Sequence, residues 1–370
     1  MSPSPAKRLK TSNENGFMED ELMDRRISKA GENVEKFEFN MKRVKQLTGN
    51  EGYLHREAKG VAYYMHRDQR LQDNWAALFA QKLALADSLP MYVIAGINVT
   101  HPKDPEATRR STEFSLSGLQ EVAEECNQLG IEFHLLQHHD QPMHKRILKF
   151  IQDSKVGCIV ADFSPLKPHR GQIEALKKDM EKLNGPCLYQ VDGNYFRTLF
   201  KLIKFFHKGT SFFSAHNVVP VWVTSDKQEY AARTIRKKIM DRLPEFLTEF
   251  PPVIQHPTKP TFTSPKIDWT LYKKSLVVDE TVLPTTWANP GTTQGLEMLK
   301  SFVKSRLKGY NDKRNDPNAN ALSNLSPWLH YGQLGSQRAT LYVKANGTSY
   351  SQSVAAYVEE SIGKKEAQKL

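Results

Sequence analysis

The sequence predicts an α/β fold: a doubly wound parallel sheet of five strands, a linker, and then an all-α domain. Between residues 61 and 191, short apolar runs alternate with amphipathic helical patterns, which is the pattern of repeated βαβ units. From residue 291 onward, apolar residues recur at helical spacing. A chain of 370 residues is also long enough to form two domains.

Five short apolar runs predict the strands of the sheet. They are VAYYM from Val61, MYVIAGINV from Met91, IEFHLL from Ile131, GCIVADF from Gly157 and CLYQV from Cys187. Ligands of such sheets bind at the carboxyl ends of the strands. The chain contains neither GxGxxG nor a P-loop motif, so the usual dinucleotide and nucleotide fingerprints are missing.

Two features precede the first predicted strand. Residues 1–38 are predicted to be a disordered basic tail, in which Lys7 to Lys10 form either a nuclear-import patch or a solvated basic cluster. Apolar residues scattered from Met23 to Thr48 are sufficient for a helix on the outside of a domain. The α/β domain is placed at residues 39–243.

The chain changes character after the fifth predicted strand. Asn217 to Val223, NVVPVWV, predicts a return to the sheet, and Asp226 to Leu243 predicts a basic helix. A Pro-rich stretch at 244–290 reads as a linker between domains. The helical domain is placed at 291–370.

Composition and charge restrict the classes of partner. The net charge of +11 and the pI of about 9.3 favour a polyanion. No apolar run approaches the length of a bilayer span. Three scattered cysteines predict reduced core thiols rather than a disulfide framework. The histidines at 138, 139 and 144 lack metal-ligand spacing, so no metal site is predicted.

A polar stretch from Arg306 to Gly335 is the main candidate for a site. It carries the cations Arg306, Lys308, Lys313 and Arg314 and then the helix start LSNLSP. Ser326 suits the N-cap and Pro327 the first helical position. Backbone N–H groups at such a start bind phosphate, although an ordinary capped helix has the same pattern.

At these residues the chain resembles the class II cyclobutane-pyrimidine-dimer DNA photolyases, of the photolyase/cryptochrome superfamily. One matching run is GYNDKRNDPNANALSNLSPWLHYGQLG, and the second is MHRDQRLQDNW from Met65 to Trp75. The two runs occur in the order and at the approximate spacing of the family. Within the second run, Arg67, Asp68, Arg70 and Asp73 could equally form salt bridges at a strand end.

The resemblance implies a blue-light-dependent DNA-repair lyase with FAD in the helical domain and, in some members, an antenna chromophore in the α/β domain. It implies that Glu360 contacts the flipped-out pyrimidine dimer and acts in catalysis. The implied FAD contacts are Tyr310, Leu322, Ser323, Asn324, Leu325 and Ser326. Arg314 and Arg338 are candidates for DNA phosphate, with solvated surface cations as the alternative.

The implied partner is UV-damaged DNA, bound by a monomer without membrane association. The nucleus is the expected location, with the cytoplasm as a second one. A cryptochrome-like light sensor and a non-catalytic isoform that binds DNA or a protein remain alternative functions.

The sequence departs from the family in two places. Residues 193–214 form a basic, aromatic-rich insertion that is either an amphipathic helix on DNA or a membrane, or a segment extruded from the sheet. The resemblance ends near Ile362, so the chain is expected to be a C-terminally truncated form with impaired repair. The incomplete domain is expected to expose apolar faces of the helices that carry Trp328 and Tyr357.

Overall fold

A computed structural model describes residues 16–49, 58–97, 107–136, 141–164, 167–182, 186–191, 218–224 and 232–364. The predicted insertion at 193–214 and the basic cluster at 7–10 lie outside the described residues. None of the described helices is both long and apolar enough to cross a membrane.

The sheet has six strands in the order β1-β6-β5-β2-β3-β4. The strands are β1 (Val44–Thr48), β2 (Val61–Tyr64), β3 (Met91–Ala95), β4 (Glu132–Leu135), β5 (Cys158–Asp162) and β6 (Cys187–Val191). Strands β2 to β6 pair in parallel, as the sequence predicted. Strand β1 adds an antiparallel edge against β6. The predicted helix through 44–48 is therefore wrong.

Thirteen α-helices surround or follow the sheet in the described part of the chain. They are α1 (Gly16–Ala30), α2 (Trp75–Ala86), α3 (Arg109–Gln128), α4 (Met143–Ser154), α5 (Lys167–Lys182), α6 (Val221–Thr224), α7 (Ala232–Phe246), α8 (Trp269–Ser275), α9 (Thr292–Ser305), α10 (Tyr310–Lys313), α11 (Ser326–His330), α12 (Ser336–Asn346) and α13 (Ser351–Val358). A π-helical turn at Glu359–Lys364 continues α13. The predicted return to the sheet is wrong, because Val221–Thr224 is helical.

Apolar residues cover both faces of the sheet, as a doubly wound fold requires. Alternate strand residues such as Tyr63 and Val160 pack with α2 and α3. Their neighbours Tyr64 and Ile159 pack with α4 and α5 on the other face. Strand β2 lies between β5 and β3, so the order of the strands reverses there. The loop from Met65 to Asn74 therefore leaves the sheet at its topological switch point.

The helical part has its own core. Leu299, Phe302, Leu325, Trp328 and Tyr357 are buried together in it. The expectation of exposed apolar faces at Trp328 and Tyr357 is wrong for these two side chains, which are 1% and 4% exposed.

Helix α1 corrects the prediction of a disordered tail through residue 38. Its Leu22 is buried in the core of the helical part. The guanidinium of Arg26 donates two hydrogen bonds, of 2.9 and 2.8 Å, to the carboxylate of Asp73 in the α/β part. The prediction was wrong because the sequence of this segment, with its scattered apolar and charged residues, does not indicate which side chains pack against a core.

Candidate cofactor site and its contact with the sheet

The turn at 322–326 carries the polar groups that the sequence assigned to a phosphate. Asn324 has a φ of 58°, a left-handed conformation that asparagine tolerates better than most residues. Leu325 is fully buried and anchors the turn, while Leu322 is 48% exposed. Helix α11 begins at Ser326, and the preceding Leu325 takes the cap position without a side-chain hydrogen bond. Ser326 is thus not the N-cap, a shift of one residue from the prediction.

The polar side chains of this turn are available to a ligand. Ser323 and Asn324 are half-buried and Ser326 is exposed. None of the three side chains forms a hydrogen bond within the described part of the chain. Hydroxyl and amide groups that have no protein partners can donate hydrogen bonds to the phosphates of a nucleotide cofactor, and the buried Leu325 holds this turn in place. The residues present therefore fit the group that the sequence implied.

The structure brings together three residues for which the sequence predicted different roles. They are Tyr310 for FAD, Arg314 for DNA phosphate and Glu360 for the pyrimidine dimer. The guanidinium of Arg314 donates from Nε to Glu360 Oε1 at 3.4 Å and also binds the carbonyl of Asn311. The side chains of Arg314 and Glu360 are 23% and 26% exposed, so solvent reaches both. Tyr310 is buried against the rings of Phe302 and Tyr357. It shares one core with Leu325, which links this cluster to the turn.

Burial and the nearby Glu360 raise the pKa of Tyr310 to about 12. A phenol with this pKa is neutral at physiological pH and keeps its proton to donate. Tyr310 can therefore serve as a neutral hydrogen-bond donor.

The prediction that Arg338 contacts DNA is contradicted by its position. Its side chain is 1% exposed and donates to both carboxylate oxygens of Asp73, at 2.8 and 2.7 Å. It also pairs with Glu249. A guanidinium enclosed by two carboxylates inside the protein cannot reach a DNA phosphate. Arg314 keeps a partly exposed side chain.

The two sequence runs that carried the resemblance contact each other directly. Three consecutive carbonyl groups at the end of α11 accept hydrogen bonds from the loop after β2. The pairs are His330 O with Arg67 Nη2 at 3.3 Å, Tyr331 O with the Gln69 N–H at 3.2 Å, and Gly332 O with Arg70 Nη1 at 2.6 Å. The last carbonyls of a helix lack partners within it. The sequence contained both runs but no signal that they meet.

Asp162 fixes the loop that makes this contact. It ends β5, and its carboxylate accepts the backbone N–H groups of His66, Arg67 and Asp68 at 2.9, 3.0 and 2.6 Å. The Tyr63 hydroxyl also donates to it, at 3.2 Å. Burial, with Asp162 nearby, raises the pKa of Tyr63 well above its ordinary value. The loop is therefore held by the sheet on one side and holds the helical part on the other.

The chain combines a doubly wound sheet with an all-α part that contacts the switch-point loop, and solved photolyases and a cryptochrome have a similar fold. Solved structures with a similar fold include a class III photolyase of Agrobacterium tumefaciens, with a TM-score of 0.58, 18% identity, and coverage of 85% of this chain and 58% of that one. An archaeal photolyase of Sulfolobus tokodaii, solved with two FAD molecules, has a TM-score of 0.51 and 15% identity, over 80% of this chain and 59% of that one.

The family model for DNA photolyase matches residues 61–257. A deoxyribodipyrimidine photo-lyase of Potorous tridactylus is 44% identical over 334 residues, which are 90% of this chain and 57% of that protein. The chain belongs to the DNA photolyase family, as its motifs predicted. It spans 57% of the length of this relative.

Proposed function

We propose that this chain serves blue-light-dependent repair of DNA as a deoxyribodipyrimidine photo-lyase that holds FAD and acts on cyclobutane pyrimidine dimers. The observation that carries the proposal is that Tyr310 lies beside the Arg314–Glu360 pair and shares a core with Leu325 of the 322–326 turn. The 44% identity to a deoxyribodipyrimidine photo-lyase supports the reaction.

The 322–326 turn would hold the phosphates of FAD. Ser323, Asn324 and Ser326 offer side-chain groups without protein partners among the described residues. Hydrogen bonds to a charged phosphate are about twice as strong as neutral ones. Leu322, 48% exposed beside them, would cover apolar parts of the cofactor. Bound reduced FAD would supply the electron that opens the cyclobutane ring under light.

Glu360 would receive the pyrimidine dimer, and Arg314 would orient its carboxylate. The hydrogen bond between Arg314 and Glu360 fixes the direction of both side chains. A preoriented group at the reacting bases stabilises developing charge without reorganising during the reaction. Because both side chains are partly exposed, a flipped-out base can approach them from solvent.

UV-damaged DNA is the proposed partner, and the net charge of +11 supports a polyanion. We also propose a monomer, a nuclear location with the cytoplasm as a second one, and a second chromophore in the α/β part. The second FAD of the Sulfolobus tokodaii photolyase supports that last proposal.

The test compares two neighbouring acidic residues after FAD loading. The purified chain is mixed with FAD, reduced, and illuminated with an oligonucleotide that contains one thymine dimer. We expect flavin to bind and dimers to be lost under illumination. Glu360→Gln should keep FAD and lose most repair. Glu359→Gln is the matched control, since Glu359 pairs with Arg236 on α7 instead of Arg314.

Three outcomes would contradict the proposal. A chain that retains no flavin at saturating FAD lacks the proposed cofactor site. Equal repair by Glu360→Gln and Glu359→Gln removes Glu360 from the reaction. A chain that binds DNA without flavin and without repair would instead be a non-catalytic binding protein.

A further inference from the structure

Arg70 makes the shortest of the three contacts to the end of α11. Its side chain is 7% exposed, and Nη1 lies 2.6 Å from the carbonyl oxygen of Gly332 and 2.9 Å from Asp68 Oδ1. Its Nε donates to the Asp73 carbonyl at 3.2 Å. The guanidinium therefore has fixed partners on the loop after β2 and one partner beyond α11. A buried, charged donor of this kind contributes more than a neutral one.

The backbone after α11 is packed tightly against this ion pair. Gly332 has a φ of 67°, and a Cβ built there would lie 2.3 Å from Asp68 Oδ1. A Cβ at Gly335 would lie 3.2 Å from Arg70 Nη2. Gly332 therefore permits an approach that a larger residue would block, whereas a larger residue at Gly335 would require a small shift of the Arg70 guanidinium. The backbone after α11 thus lies in direct contact with the Asp68–Arg70 pair.

We propose that Arg70 is a positioning residue of the cofactor site, acting through α11 on the 322–326 turn. Helix α11 has only five residues, Ser326–His330, so fixing the carbonyls at its end also fixes the direction of its start. The turn joins that start directly. A cation at the carbonyl end of a helix is also electrostatically favourable. The inference deepens the proposed function and rests on it for the identity of the ligand.

The first test measures the turn itself, without a cofactor. Hydrogen exchange of residues 322–331 is followed by mass spectrometry in the full chain and in Arg70→Gln. We expect exchange in this segment to accelerate by about tenfold or more, the range for losing a charged hydrogen bond. Arg26→Gln is the matched control, because Arg26 is also buried and pairs with Asp73. It should leave exchange at 322–331 unchanged.

Arg70→Lys provides a second variant if Arg70→Gln does not fold. A lysine keeps the charge and can donate to Gly332, but it lacks the planar guanidinium that donates to Gly332 and Asp68 at the same time. Its exchange rate at 322–331 should lie between those of the unmodified chain and Arg70→Gln. No acceleration in any folded Arg70 variant, or the same acceleration in Arg26→Gln, would overturn the inference.

The second test measures FAD affinity at a temperature where all variants are folded. We expect Arg70→Gln to weaken FAD binding by about tenfold, with partial recovery in Arg70→Lys and little change in Arg26→Gln. Equal affinities for Arg70→Gln and Arg26→Gln would contradict the positioning role. An unmodified chain that binds no FAD would contradict the proposed function, while the exchange measurement still decides whether Arg70 positions the turn.

Discussion

Arg338 illustrates how burial changes the role of a single side chain. The sequence offered this cation as a contact for DNA phosphate or as a solvated surface charge, but its side chain lies between the carboxylates of Asp73 and Glu249. Asp73 also accepts from Arg26, so two arginines share one carboxylate. These two arginines lower the pKa of Asp73 far below its usual range, against the effect of burial. This ion-pair network connects four parts of the chain: α1 through Arg26, the loop after β2 through Asp73, the segment after α7 through Glu249, and α12 through Arg338.

Replacing Arg338 by alanine should lower the free energy of unfolding by about 3–5 kcal/mol, because it leaves buried carboxylates without one of their partners. Arg314→Ala should lower it by less than about 1 kcal/mol, since that ion pair is partly exposed. Urea denaturation of both variants measures the difference. Similar losses in the two variants would show that the buried network contributes little.

Glu125 should make stability depend on pH. Burial raises its pKa to about 7, with Glu121 and Glu19 adding to the rise, while Gln72 and Arg26 oppose it. The unfolded chain ionises this group near a pKa of about 4.3. Its contribution to stability is therefore full below the unfolded value and is lost as pH rises toward 7.

Glu125→Gln should accordingly increase the free energy of unfolding more at pH 8 than at pH 4, by about 3 kcal/mol, because one pKa unit corresponds to about 1.4 kcal/mol. Urea denaturation of the variant and the unmodified chain at both pH values gives this difference. A variant that shows no gain at pH 8 would show that the Glu125 carboxyl ionises freely in the folded protein.

Local patterns predicted helices and parallel strands well and the edges of the fold poorly. The strands from β2 to β6 were recognisable because each is a short apolar run between helical patterns. Strand β1 was not, since its side chains are mostly half-buried and do not form an apolar run. Helix α1 was predicted only in part, from Met23, because its stability depends on partners such as Asp73 that are distant in sequence.

Helix α1 should contribute to stability through its buried side. Leu22→Ala should lower the free energy of unfolding by about 2–4 kcal/mol, the range for truncating a buried leucine. Ile27 lies on the same helix but is 42% exposed, and Ile27→Ala should change the free energy by less than about 1 kcal/mol. Equal and small effects in urea denaturation would mean that α1 is not docked in solution.

The two parts of the chain are joined by polar contacts that no single-sequence pattern could reveal. Gln333 is fully buried; it donates to Gln69 and to the Phe114 carbonyl, at 3.0 and 3.1 Å, and accepts the Gly291 N–H at 2.7 Å. Trp75 donates to Gln337 across the same boundary. Family resemblance supplied the candidate site residues, but their burial and partners required the fold. This explains why Arg338 was misassigned, whereas the roles of Arg314 and Glu360 stay predictions.

The charge of the whole chain leads to a prediction about DNA binding. With a net charge of +11, it should bind undamaged duplex DNA weakly and with a steep salt dependence. The exposed Lys308 and Lys313 lie near Arg314 and the proposed site. Fluorescence anisotropy at several salt concentrations measures the slope of log K against log salt concentration. Each phosphate contact that is lost should reduce the magnitude of this slope by about 0.9.

Replacing Lys308 and Lys313 together by glutamine should reduce that slope by about 1–2, if these cations contact phosphate. The matched control replaces Lys145 and Lys149, which are exposed on α4 at the other side of the sheet. That control removes the same charge from a surface that the proposed site does not use, so its slope should change less. Equal slopes for both double variants would show that DNA contacts the protein through its overall charge. Binding to undamaged duplex that is insensitive to salt would contradict the electrostatic account altogether.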